Sequence, residues 1–135
     1  MDPRDPIRVM IAEDDEGIRE TLASIVRAEK AFDLAGVAED ADQAIRVAAR
    51  ELPDVAVVDV RMPGGGAGAT RGIKLRSPDT AVLAFSAHDD ALTVQEMREA
   101  GADGYLVKGS PVTTIIASIR SAGDGTLDVV ERKAA

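Results

Sequence analysis

The chain has 135 residues, enough for one domain with its own core and too short for two. Acids outnumber bases 24 to 16, for a net charge of −8, which argues against direct nucleic-acid binding by this domain because a phosphate backbone calls for a basic stripe. Cysteine is absent, which excludes disulfides and thiolate metal sites, and one Tyr, two Phe and no Trp leave the core to aliphatic side chains. No stretch approaches a membrane span, and the polar start "MDPRDPIR" is no signal peptide, so a soluble cytoplasmic protein is expected.

The first predicted element is a strand, "IRVMIA" (Ile7–Ala12). After it, Ile18, Leu22, Ile25 and Val26 recur at helical spacing. Phe32–Ala38 reads as a second, weaker strand. Asp40 is placed to cap a second helix, on which Ala41, Ala44, Ile45 and Ala48 share a face, and Pro53 closes that unit. Asp54–Asp59 is a strand of nearly unbroken apolar residues. A short third helix is expected over Ala67–Leu75, beyond a run of glycines. Thr80–Ser86 is a fourth strand, and "DALTVQEMREAG" a fourth helix with Gly101 as its stop. Gly104–Lys108 is a fifth strand. Pro111 opens a last helix, where Val112, Ile115, Ile116 and Ile119 form an apolar stripe.

Alternating strands and helices imply an α/β fold with a parallel sheet covered on both faces. Strands buried on both faces read as unbroken apolar runs, as the first, third and fourth do here. The expected organisation is an extension over residues 1–6, one domain over 7–123, and a tail or linker over 124–135.

The polar residues fall at strand ends. The first strand ends in Glu13 and Asp14, the third in Asp59, the fourth in Ser86 and the fifth in Lys108. In a parallel sheet these carboxyl ends emerge on one edge, where open α/β sheets bind their ligands. Three carboxylates held together take up either a proton or a cation. Oxygen ligands without His or Cys suit Mg²⁺, with Mn²⁺ able to take its place. A metal, a carboxylate nucleophile, a hydroxyl and an ammonium are the parts that phosphoryl transfer needs. Singly, each residue has a structural alternative. Asp14 or Asp15 could cap the first helix, Asp59 could start a turn, Ser86 could cap the fourth helix, and Lys108 could be a solvated charge. All of them at carboxyl ends of strands favour a site.

The glycines of "VRMPGGGAGATR" are the competing signal. A Walker loop needs a Lys-Ser or Lys-Thr pair after the glycines, and none follows Gly64–Gly66 or Gly68. The dinucleotide fingerprint lacks its third glycine, and the run follows the third strand rather than the first. The glycines therefore read as a flexible loop beside the site, and Asp59 as the residue that carries the chemistry.

With these residues in place, the chain resembles the receiver domain of two-component response regulators. The segments "VMIAEDDEGIRETL", "PDVAVVDVRMPGGG", "VLAFSAHDD" and "AGADGYLVKGSP" carry the resemblance, which spans about residues 7 to 122. It implies a single flavodoxin-like (βα)5 domain, doubly wound, with strand order 2-1-3-4-5. It implies a phosphoacceptor at Asp59, direct metal ligation by Asp14, ligation by Glu13 through water, and a backbone carbonyl from Arg61. Ser86 matches the family's switch hydroxyl, Lys108 the lysine that meets the phosphoryl group, and Tyr105 the aromatic switch position. Gly109-Ser110-Pro111 after the lysine is similar to receivers of LuxR/NarL-type helix-turn-helix regulators. Arg61 and His88 lie two residues beyond Asp59 and Ser86, where the family tunes loss of the phosphoryl group.

The resemblance further implies a sensor histidine kinase as phosphodonor. It implies an output domain or partner protein at the face of the fourth helix, fifth strand and fifth helix, and a homodimer on phosphorylation as one use of that face. The protein is then a signalling phosphoacceptor that catalyses only its own phosphorylation and dephosphorylation. Two rival classes lack a feature each. A Mg²⁺-dependent aspartyl phosphatase wants an acid where this chain has Arg61, and a flavodoxin-like flavin binder wants hydroxyls where it has Glu13, Asp14 and Asp15.

Overall fold

The computed structural model describes residues 5–87 and 90–127. Five strands and five helices alternate: β1 (Ile7–Ala12), α1 (Glu16–Ala28), β2 (Phe32–Ala38), α2 (Ala41–Glu51), β3 (Val55–Asp59), α3 (Gly66–Arg76), β4 (Ala81–Ser86), α4 (Ala91–Glu99), β5 (Gly104–Val107) and α5 (Val112–Asp124). All strand pairs are parallel, in the order β2-β1-β3-β4-β5. The expected flavodoxin-like, doubly wound sheet is what the chain forms.

The strand residues divide between two cores by the two-residue period of a pleated strand. Val9, Ile11, Val55, Val57, Leu83 and Phe85 face one layer, with Leu22 and Val26 of α1 and Ile115 and Ile119 of α5. Met10, Ala12, Ala56, Val58 and Val82 face the other, against α2 and α3. Ala84 continues that second face under Met97 of α4 and Ala100, which caps its end. Two-sided burial is why β3 and β4 carry no polar residue before Asp59 and Ser86, and why β1, past the half-buried Arg8, is apolar from Val9 to Ala12.

Helix starts follow local chemistry. Asp15, Asp40 and Asp90 cap α1, α2 and α4, accepting bonds from the amides of Ile18, Gln43 and Thr93 at 2.9, 2.8 and 2.9 Å. Asp15 rather than Asp14 thus caps the first helix, and Asp90 rather than Ser86 the fourth, which leaves Asp14 and Ser86 out of capping roles. Gly101 follows α4 with φ of +111°, the left-handed stop expected of it. Lys108 is the first residue beyond β5 rather than its last member.

The glycine run proves to be a defined turn instead of a flexible loop. Gly64 and Gly65 have φ of +86° and +81°, a region that strains other residues. Gly66 begins α3 against the third strand, and its amide donates to the Val60 carbonyl at 3.0 Å. A Cβ there would sit 2.6 Å from the carbonyl oxygen of Asp59 and from the Cα of Val60. The helix start therefore presses on the backbone that holds Asp59. The third helix begins one residue earlier than its side-chain pattern suggests because glycine permits that approach. Residue 88 and the tail beyond 127 lie outside the described residues.

Two glycines of this segment should respond oppositely. Gly66→Ala is expected to cost about 1–3 kcal/mol in urea unfolding, because backbone on both sides must move. Gly68→Ala, in the same helix with nothing within 4 Å of the added methyl, should stabilise by about 0.5–1 kcal/mol. Equal effects at the two positions would refute the packing argument.

Candidate functional site

The sheet brings the expected residues to one edge. β1 pairs with β3 up to Ala12 and Val58, and β3 pairs with β4 through Asp59 and Phe85. Glu13, Asp59 and Ser86 therefore follow one another across neighbouring strands. The amide of Val60 donates to the carbonyl of Phe85 at 3.0 Å, and that of Lys108 to the carbonyl of Ser86 at 2.7 Å. These bonds carry the register beyond the ladders and fix where the loops leave the sheet.

Glu13, Asp59 and Ser86 are buried, at 0, 2 and 2% exposure, while Asp14 stands at the rim. One carboxylate oxygen from each of Glu13, Asp14 and Asp59 lies within 4.8 Å of the others. Lys108 Nζ is 2.9 Å from Glu13 Oε1 and 3.2 Å from Asp59 Oδ1. The amide of Arg61 donates to Asp59 Oδ1 at 3.1 Å, and that of Asp15 to Glu13 Oε2 at 3.0 Å. Glu13 Oε1 is met by the lysine ion pair alone, and buried Asp59 Oδ2 has no hydrogen-bond donor among the described residues.

Three carboxylates against one ammonium leave the site with excess negative charge, and the titration behaviour reflects this. Asp59 is pushed up to about 7, first by burial and then by its contacts with Glu13 and Asp14, against the opposing pull of the Arg61 amide. Burial acts on Asp14 in the same direction. Its bonds with Asp59 and Glu13, a backbone bond and the charge of Lys108 outweigh that, and its carboxyl titrates below the ordinary value. Burial pulls Lys108 down, yet Glu13 and Asp59 dominate and hold its ammonium more firmly than in water. Without a cation, the cluster thus relieves its repulsion by keeping a proton on Asp59 near neutrality.

The donor set is all oxygen, partly buried, and includes an unsatisfied carboxylate oxygen. It fits a hard divalent cation. Tyr105, half-buried on β5, packs with the α4 cluster of Ala84, Met97 and Ala100. It also lines a cavity of about 280 Å³ between α4, β5 and α5. Two contributors were not singled out in the sequence. Lys108 Nζ sits 5.5 Å from the centroid of the Phe85 ring, a cation–π contact that steadies the ammonium over the site. Phe85 reads as core in the sequence, and only its place before Ser86 hints at more. Arg19 reaches back to the loop after β1, and in the sequence it is one more polar residue of an amphipathic helix.

The fold is shared with proteins of known structure. The response regulator receiver domain family matches residues 9–120, and the chain belongs to that family. The transcriptional regulatory protein DegU of Brevibacillus brevis is 32% identical over 120 residues, 88% of this chain and 51% of that protein. PdtaR of Mycobacterium tuberculosis is 37% identical over 120 residues, 87% of this chain and 57% of that protein. The signal receiver domain of NarL from M. tuberculosis superimposes with a TM-score of 0.85 at 31% identity, covering 90% of this chain and 98% of that one. A LuxR-family response regulator from Aurantimonas gives 0.83 at 29% identity, covering 89% and 86%. The chain spans about half the length of the curated relatives it matches.

The raised Asp59 value has a consequence for stability. The unfolded chain releases this proton near the ordinary 3.8, whereas the folded protein holds it to about 7. Between these values the folded state binds the extra proton, so the group's contribution to stability is full below about pH 4 and is lost as pH rises through about 7. In EDTA, Asp59→Asn is therefore expected to melt with the wild type at pH 4 and clearly above it at pH 8. A pH-independent difference in melting temperature would contradict the assignment.

Proposed function

We propose that Asp59 accepts a phosphoryl group from a sensor histidine kinase and that the resulting charge switches the α4-β5-α5 face. The observation that carries this reading is the buried, under-neutralised oxygen cluster of Glu13, Asp14 and Asp59, with Lys108 already within ion-pair distance of two of its members. Asp14 and Asp59 would hold Mg²⁺ directly, Glu13 through water, and Arg61 by its carbonyl, with Mn²⁺ able to replace Mg²⁺. When bound, the metal neutralises the carboxylates and the equatorial phosphoryl oxygens.

The chain's own residues do the rest. Asp59 must lose its proton to act, and its carboxylate oxygen then forms the new bond to phosphorus as the bond to the donor histidine nitrogen breaks. Lys108 offsets charge on the transferred oxygens, and the Ser86 hydroxyl bonds one of them. The amide of Arg61 holds Asp59 in place from the loop side. Hydrolysis of the acyl phosphate by water returns the resting carboxylate, so the domain catalyses only its own phosphorylation and dephosphorylation.

The response spreads through shared backbone. Ser86 and Lys108 are tied by the bond between the Lys108 amide and the Ser86 carbonyl, so a pull on either moves both loops. Tyr105 lies three residues before Lys108 and faces the cavity between α4, β5 and α5, which gives its ring room to turn inward. That is a two-state element biased by a local charge. Leu92 and Val112, 77 and 51% exposed at the starts of α4 and α5, give the face apolar contacts for an output domain, a partner protein or a second copy of the chain.

The curated relatives are transcriptional regulators of about twice this length, which supports a DNA-binding output acting in the cytoplasm. No helix among the described residues is long and apolar enough to cross a membrane. The charge of −8 keeps this domain itself off DNA.

Incubation with acetyl phosphate and Mg²⁺ should add one phosphoryl group in intact mass spectrometry. The gain should be absent in Asp59→Ala and in EDTA. Beryllofluoride, which needs the site and no donor, should shift amide NMR signals in the loops after β4 and β5. Failure of both probes would overturn the reading.

A further inference from the structure

The carboxylates of Glu13 and Asp14 sit on backbone that the sheet no longer restrains. The β1 ladder ends at Ala12, which is the last residue paired with β2 and β3. One further bond, from the Glu13 amide to the Ala38 carbonyl at 2.9 Å, fixes the near side of Glu13. Beyond it, the carbonyls of Glu13 and Asp14 have no partner in the sheet. A partner from elsewhere in the fold can hold these peptide planes. Asp14 is exposed, so packing does not hold it either.

Arg19 supplies that partner. Its Nη1 donates to the Glu13 carbonyl at 3.0 Å and, more weakly, to the Asp14 carbonyl at 3.4 Å. Its Nη2 lies 3.5 Å from Glu39 Oε1, at the end of β2. The side chain is 12% exposed, whereas Glu39 is 60% exposed. The guanidinium is therefore folded into the structure and not waving in solvent. Its own backbone is fixed in the first turn of α1, where its amide donates to the Asp15 carbonyl at 2.9 Å. The planar, forked guanidinium can serve the carbonyls and the carboxylate together, which a single ammonium cannot do as well.

We infer that Arg19 is a positioning residue of the acidic centre: by binding the main-chain carbonyls of Glu13 and Asp14 it aims their carboxylates at the cation site. The inference rests on the metal reading proposed above. It bonds the main-chain carbonyls of Glu13 and Asp14 and not their carboxylates, so it orients the ligands without pairing their charges. Groups that orient metal ligands from behind typically account for 10–100-fold in metal affinity.

The test is a Mg²⁺ titration of the 15N-labelled chain followed by amide NMR, beside melting in EDTA. Arg19→Ala is expected to raise the Mg²⁺ dissociation constant about tenfold or more. Arg19→Gln, which can bond one carbonyl and covers the case of a poorly folded Ala variant, should fall between it and the wild type. Glu39→Gln should change the constant less than about twofold, because the carbonyl bonds remain. Arg120→Ala, which breaks the exposed 3.2 Å pair with Glu29, controls for loss of an arginine and should change nothing.

Wild-type affinity in Arg19→Ala and Arg19→Gln would overturn the inference and leave the metal reading standing. So would a Glu39→Gln defect as large as that of Arg19→Ala, since the arginine would then act through the β2 end. A wild type that binds no Mg²⁺ would overturn the metal reading and the inference with it.

Discussion

The common polarity of the five strands is the constraint on which the rest of the structure depends. A parallel sheet covered on both faces has only its two strand-end edges left for polar chemistry. From Val9 to Ala12 of β1, and along β3 and β4 up to Asp59 and Ser86, every position serves one of two aliphatic cores. The charged groups are thereby confined to the carboxyl edge, where register alone sets their neighbours. Glu13, Asp59 and Ser86 come together because Ala12 is level with Val58 and Asp59 with Phe85. A one-residue slip of β3 would turn Asp59 to the other face and dismantle both cores.

That placement forces an electrostatic conflict. Two fully buried carboxylates share one lysine, with a third carboxylate at the rim. The protein holds the conflict in place with rigid elements. The Gly66 contact presses α3 onto the Asp59 backbone, the Arg61 amide holds one carboxylate oxygen, and Phe85 lies beneath the lysine. A site of this kind is destabilising when empty of cation and proton, and it is relieved by any ligand that brings positive charge. The same imbalance that costs stability makes the site responsive, in keeping with the way functional sites break local rules of good packing.

Membership of the receiver family places this edge in a known architectural setting, and the Mycobacterium NarL receiver domain shares nearly the whole of the fold. The Gly64–Gly66 turn lets α3 begin close to β3, and Gly72 packs where a Cβ would meet the Ile45 side chain at 2.2 Å. The α2–α3 pair is therefore drawn tightly together, and the loop after Asp59 has little freedom to adjust. On β5, Tyr105 packs with Ala84, Met97 and Ala100 and also lines the cavity between α4, β5 and α5.

Local pattern along the chain was enough to read the elements, their alternation, the parallel sheet and the identity of the polar edge. Those features follow from periodicity and from the rule that doubly covered strands are apolar until they end, so Glu13, Asp59 and Ser86 stand out at the ends of apolar runs. It also placed Asp40 and Gly101 correctly, because caps and stops depend on a few neighbouring residues. Tertiary structure decided the rest. Which aspartate caps α1 and which joins the acidic cluster was ambiguous between Asp14 and Asp15, because adjacent acids are equivalent until the loop has a direction. The glycines looked flexible because sequence shows the permission they give and not the close approach that uses it. Arg19 and Phe85 looked ordinary because their roles depend on distances to residues on other elements. Local pattern fixes what a residue can do, and packing between distant segments selects which of those things it does.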